Sequence, residues 1–185
     1  MKRVLYLLGQ LTDEDAYWLA KIGRVRRLES GEELIREGSS VAGIFILIEG
    51  KLVVTLANVG ELAHLGVGEI VGELSLVDSR SASATVTARV ASTVMEIPRD
   101  ILQRHMDVNP AFAARLYRAI AIFLADRMRS TIRRMGYGSE SSSTLAEDEE
   151  ATDEIDFELL EKIHQAGARF DRIFRQLSST TQNSH

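Results

Sequence analysis

The chain contains no cysteine, which excludes a disulfide framework and any thiolate-bound metal. Histidine is scarce as well: His64, His105, His164 and His185 are scattered without a paired ligand spacing, so no metal centre is expected. Only two prolines occur in 185 residues, of which 45% are hydrophobic, and that composition excludes wholesale disorder. No segment approaches the roughly 20 apolar residues of a membrane span. Met1-Lys2-Arg3 followed by Val4–Leu8 has the outline of a signal peptide. The apolar run is shorter than the roughly 7–15 residues of a signal h-region, and no small-residue cleavage site follows it. A soluble cytoplasmic protein is the expectation. The net charge of −5 argues against general affinity for nucleic acid.

Catalytic constellations are missing too. No serine is matched with a plausible histidine and aspartate, no G-x-x-x-x-G-K-[ST] loop occurs, and no carboxylate pair has a supporting motif. The expectation is therefore no catalytic residues and no enzyme.

What the chain does have is a change of pattern. Thr12-Asp13-Glu14-Asp15 reads as a capped helix start, and the helix carries Tyr17, Trp18, Leu19 and Ile22 before stopping at Gly23. Trp18 is expected to be a packing anchor. From Arg24 to Ile97 short apolar segments are separated by turn residues, with Ser30-Gly31, Gly38-Ser39-Ser40, Glu49-Gly50-Lys51, Asn58-Val59-Gly60 and Gly66-Val67-Gly68 among them. Spacings mostly near 8–12 residues suit a compact antiparallel barrel or sandwich. Ile44–Ile48 is continuously apolar, as a strand covered on both faces should be. Ala84, Val86 and Ala88 alternate with Thr85 and Thr87, which puts small apolar residues on one face. Pro98-Arg99-Asp100 opens a short helix to about Asp107, and Asn109-Pro110 starts a long one with Asn as cap and Pro in the first turn.

Within the strand region lies GEIVGELSLVDSRSASATVTA, residues 68–88: strand, glycine turn, short helix, loop, strand. Glu73-Leu74-Ser75 is read as opening the helix with its amides unpaired, a natural anion site. These residues resemble the phosphate-binding cassette of the cyclic nucleotide-binding domain family. In that family a Gly-Glu-Leu/Met turn holds the sugar-phosphate, and an Arg before a small-small-Thr-Val strand pairs with the phosphate. Gly72, Glu73 and Leu74 match the first motif, and Ala84-Thr85-Val86 match the second at the family spacing. The position of the family's Arg is Ala82. The Glu37-Gly38 turn and the Gly50 hairpin extend the likeness, which covers about residues 12–135.

The resemblance implies an α+β fold, an antiparallel, jelly-roll-like β-roll flanked by an N-terminal helix and C-terminal helices. It implies a ligand such as cAMP or cGMP, with Glu73 accepting the ribose 2′-hydroxyl. Backbone amides at Leu74, Ser75 and Ala84 and the Ser83 hydroxyl are candidate anion contacts, and Arg80 is the loop cation that could stand in at Ala82. A carboxylate in a first helical turn, as at Glu73, is equally explicable without a ligand, and Arg80 as a solvated arginine beside Asp78. Losing the bidentate arginine contact weakens such a site by about ten- to a hundredfold.

The domain is expected over residues 1–137, an acidic Ser-rich linker over 138–152, and an amphipathic helix over 153–178. The helix 109–135 carries six arginines against the single acid Asp126. Its run Ala119–Ala125 has no polar face, so either a second copy of the chain or the N-terminal helix must cover it. A homodimer is the expectation. In the last helix Leu159, Ile163, Ala166, Phe170, Ile173 and Leu177 form a coiled-coil seam for self-association, intramolecular packing or a protein partner. After Tyr137 one helix remains, too little for a helix-turn-helix, so a DNA-binding regulator is the weakest reading. The motif DSRSASATV and the helix ending RRMGYG resemble stand-alone bacterial members of the family associated with bacteriocin-type transport. Two functions stay open: a non-enzymatic sensor of an anionic ligand that signals through its C-terminal helices, and a ligand-free scaffold on the same fold.

Overall fold

The computed structural model describes residues 4–78 and 80–134. The expectations for the 138–152 linker, for the 153–178 helix with its seam, and for the end of the long helix at Met135 lie outside the described residues. Two short helices come first, α1 (Val4–Gln10) and α2 (Asp13–Ile22). Thr12 caps α2 reciprocally with Asp15. The Asp15 amide donates to Thr12 Oγ1 at 3.2 Å, and the Thr12 amide donates to Asp15 Oδ2 at 2.9 Å.

The strand region folds into two antiparallel sheets. The strands are β1 (Arg24–Leu28), β2 (Glu33–Ile35), β3 (Gly43–Glu49), β4 (Leu52–Leu56), β5 (Gly60–Leu65), β6 (Ile70–Val71), β7 (Thr85–Ala88) and β8 (Ser92–Pro98), with the short helix α3 (Leu74–Asp78) after β6. One sheet has the order β1-β8-β3-β6 and the other β2-β7-β4-β5. The unbroken apolar run of β3 has the cause its sequence implied. Phe45 and Leu47 point into the core between the sheets, with Leu52, Val54, Val86 and Val94. Ile44 and Ile46, on the opposite face, belong to a second core under the helices, with Met95 and Ile97 of the neighbouring β8. The first sheet is thus the middle layer of three.

α4 (Arg99–Val108) and α5 (Pro110–Arg134) complete the helical layer. Asn109 starts α5 by accepting the Phe112 amide at Oδ1, 3.0 Å, while Pro110 takes a first-turn position that needs no amide donor. Trp18 stacks on His105 with ring centroids 3.8 Å apart, and both rings meet Phe112 edge-on at 5.4 and 4.8 Å. Trp18 therefore joins α2 to both C-terminal helices as a packing residue.

The run Ala119–Ala125 is covered in part by α1, whose Val4 and Leu8 share the helical core with Ala119, Ile120 and Phe123. The Val4 amide also donates to the Gly68 carbonyl at 2.7 Å, seating α1 beside the strand that enters the cassette. The opposite edge of α5 stays open, with Tyr117, Ala121, Met128 and Ile132 exposed.

Candidate ligand-binding site

After β6 the backbone turns at Gly72 with φ 86°. Only glycine fits: a Cβ there would run into the Gly43 carbonyl oxygen and crowd Val41. The turn carries Glu73 inward, so that its side chain is 3% exposed. A buried carboxylate needs a compensating donor. One comes from α5, where Arg127 Nη1 donates to Glu73 Oε1 at 3.0 Å.

The start of α3 differs from the expectation of unpaired amides. The Ser75 amide donates to the Gly72 carbonyl at 3.3 Å, the Ser75 hydroxyl to the same oxygen at 2.6 Å, and the Leu76 amide to the Glu73 carbonyl at 3.1 Å. The short helix thus closes the Ser75 and Leu76 amides on its own turn, and both Ser75 donors are already committed. Arg80 likewise follows the solvated reading: its side chain is 85% exposed, its amide donates to Asp78 Oδ1 at 3.1 Å, and its guanidinium lies 3.6 Å from Asp78 Oδ2.

The returning loop is fixed at Ala82. Its amide donates to the Ser39 carbonyl at 2.9 Å, and its own carbonyl accepts the Gly38 amide at 2.8 Å. Ala82 and Ala84 are half-buried against the inter-sheet core, and Ser83 between them is exposed.

Gly72, Glu73, Leu74, Ser75, Arg80, Ala82, Ser83 and Ala84 all line one cavity of about 100 Å³. Its apolar floor is Ile35, Val41, Val54, Val71 and Val86, and Arg127 reaches its rim. The space beside Ala82 is therefore open and not plugged by apolar side chains. Arg127 is the residue that the sequence reading did not assign to the site. Its signal is its position four residues after Phe123, which puts it on the inward face of α5. The guanidinium carbon lies 5.9 Å from the Phe123 ring centroid. Together these residues supply a carboxylate acceptor, an apolar floor and a cation paired with that carboxylate. That set suits recognition of a polar ligand; no nucleophile–base pair accompanies it among the described residues.

Residues 25–109 match the family described as "Cyclic nucleotide-binding domain". The structure of the N-terminal domain of a transcriptional regulator from Streptomyces coelicolor is 31% identical, with a TM-score of 0.56 over 75% of this chain and 99% of that one. The chain belongs to the cyclic nucleotide-binding domain family. The fold agrees with a cyclic nucleotide-binding domain from Methylobacillus flagellatus, TM-score 0.64 at 21% identity over 78% of this chain and 84% of that one. Glutaminase 1 of Bradyrhizobium diazoefficiens is 32% identical over 122 residues, 66% of this chain but 20% of that enzyme. The chain thus spans about a fifth of the length of that relative. As a cyclic nucleotide-binding domain it keeps the Gly72-Glu73-Leu74 turn and carries Ala82 where the resemblance puts the phosphate arginine.

Proposed function

We propose that this chain is a non-enzymatic regulatory module in the cytoplasm, whose Gly72–Ala84 cavity takes a cyclic nucleotide or a related anionic ligand. Binding repositions α5 and alters what the C-terminal residues contact, namely a protein partner such as a bacteriocin-type transport system. The observation that carries this reading is the Arg127–Glu73 bond, because it joins the cavity wall to the helix that leads out of the domain. A ligand shifts α5 only by its unequal affinity for the two helix positions, and a ligand that engages Glu73 has such a preference built in. Calorimetry with cAMP, cGMP and cyclic dinucleotides tests it. Binding below millimolar that weakens on Glu73→Ala is the expected result; no binding below millimolar, with Glu73→Ala changing nothing, removes the sensor function.

The same reading includes a homodimer through α5. Ala114, Tyr117, Ala121, Leu124 and Met128 step 3, 4, 3 and 4 along one edge, the period of a helix-pairing seam. Tyr117 is 41% and Met128 64% exposed, a large apolar exposure for a helix edge. Sedimentation should show a dimer, and Met128→Glu should turn it into a monomer with an unchanged circular dichroism spectrum. A monomeric native chain sinks the dimer.

A further inference from the structure

Among the described residues the cavity has no cation on its strand side, since Ala82 lines it with a methyl group and its backbone is tied on both sides to the Gly38–Ser39 turn. An anionic ligand placed there needs a positive charge from elsewhere. Two arginines line the cavity, Arg80 and Arg127. Arg80 is almost wholly in solvent on the loop, beside Asp78. Arg127 is only 30% exposed, and it is held over the cavity by the Glu73 carboxylate and the Phe123 ring.

We propose that Arg127 supplies the phosphate charge that the cassette lacks at Ala82, by exchanging Glu73 for the ligand. This rests on the reading that the cavity takes an anionic nucleotide. In the closed arrangement Arg127 neutralises Glu73. When a phosphate enters, the guanidinium fork turns to it, since a phosphate offers the same bidentate, charge-assisted geometry as a carboxylate. Glu73 then gives up the Arg127 bond, and a ligand hydroxyl next to the phosphate replaces that donor. The exchange is balanced only for a ligand that carries both groups side by side. A nucleotide with a free sugar hydroxyl beside its phosphate satisfies it; inorganic phosphate takes the Arg127 bond from Glu73 without replacing it and is disfavoured. Because Arg127 rides on α5, occupation of the site and displacement of the helix become one event.

The test is calorimetry of the 185-residue chain with cAMP, cGMP and inorganic phosphate, on the native sequence, Arg80→Ala, Arg127→Gln, Ala82→Arg and the Arg127→Gln/Ala82→Arg double variant. Circular dichroism and thermal melting confirm that each is folded, and Arg127→Lys serves if Arg127→Gln is not. The expected result is nucleotide binding by the native chain, a loss of about ten- to a hundredfold in Arg127→Gln, and recovery in the double variant. Inorganic phosphate should bind none of them. Native binding that Arg127→Gln leaves unchanged overturns the exchange while the sensor reading stands, as does loss of binding on Arg80→Ala instead. Binding by Ala82→Arg alone also overturns it, because the native chain would then have no working cation. No nucleotide binding by the native chain or by Ala82→Arg overturns both readings.

Discussion

Asp15→Ala should lower the unfolding free energy by about 2–4 kcal/mol, the sum of a charge-assisted hydrogen-bonded pair with a partly exposed arginine and a helix cap. Asp15 is 6% exposed and does two jobs at once. Its carboxylate closes the Thr12 capping box, and it receives both arms of Arg115 from α5, Nε at 2.6 Å and Nη2 at 2.9 Å. The cap by itself accounts for about 1 kcal/mol, so Thr12→Ala should be much milder than Asp15→Ala in urea unfolding. A double-mutant cycle with Arg115→Ala separates the ion pair from the cap. If Asp15→Ala destabilises no more than Thr12→Ala, the pair contributes nothing.

The same carboxylate makes stability depend on acid. Burial by itself pushes the Asp15 carboxyl up, but the bonds from Arg115 and from the Thr12 amide and hydroxyl outweigh it and hold the group below the usual carboxylate range. A carboxyl that is more acidic folded than unfolded stabilises the fold above its unfolded pKa, about 3.9. That contribution is lost as pH falls from there through the lower folded value. The difference in stability between the native chain and Asp15→Asn should therefore be constant from pH 7 to about 5, and shrink only below about pH 4.

Phe112→Ala should cost a similar amount, about 3–5 kcal/mol. The ring is fully buried at the first turn of α5, edge-on to both Trp18 and His105, so its loss opens a cavity where α2, α4 and α5 meet. The denaturation midpoint should fall with little change in the slope against urea, since the surface exposed on unfolding is nearly the same. Trp18 fluorescence reports the site directly. An unfolding free energy within about 1 kcal/mol of the native chain would mean that Trp18 and His105 collapse into the gap.

Much of this architecture was legible in the amino-acid order because it depends on local chemistry. Thr12 and Asn109 cap helices as their types and neighbours imply, and the unbroken run Ile44–Ile48 could only be a strand with both faces covered. The cassette was legible as a set of lining residues for the same reason: a glycine that must turn, a following carboxylate and a strand of small residues occupy fixed places along one short segment. What stayed hidden depends on distance in the chain. Arg127 meets Glu73 across 54 positions, and a helix pattern shows that an arginine faces inward without showing which acid awaits it. The seating of α1 on α5 is the same kind of fact, since two apolar stripes do not say which of several partners each takes. The free amides expected at the start of α3 differ for another reason: α3 is a single turn in which the Ser75 and Leu76 amides close on the Gly72 and Glu73 carbonyls.

The geometry of α5 has a mechanical side. Phe112 and Arg115 anchor its first turns in the helical core and on Asp15, and Arg127 touches the cavity rim farther along. At 1.5 Å per residue, Arg127 stands roughly 18 Å beyond Arg115, and the last described turn at Arg134 roughly 28 Å beyond it. A rod pivoting at its anchored end multiplies movement in proportion to those lengths, about one and a half times here. If a ligand displaces α5 as proposed, an ångström at the rim becomes a larger stroke at the last described turn. The Asp15 pair holds one end of that rod, and weakening it should blunt such a stroke even with the cavity intact.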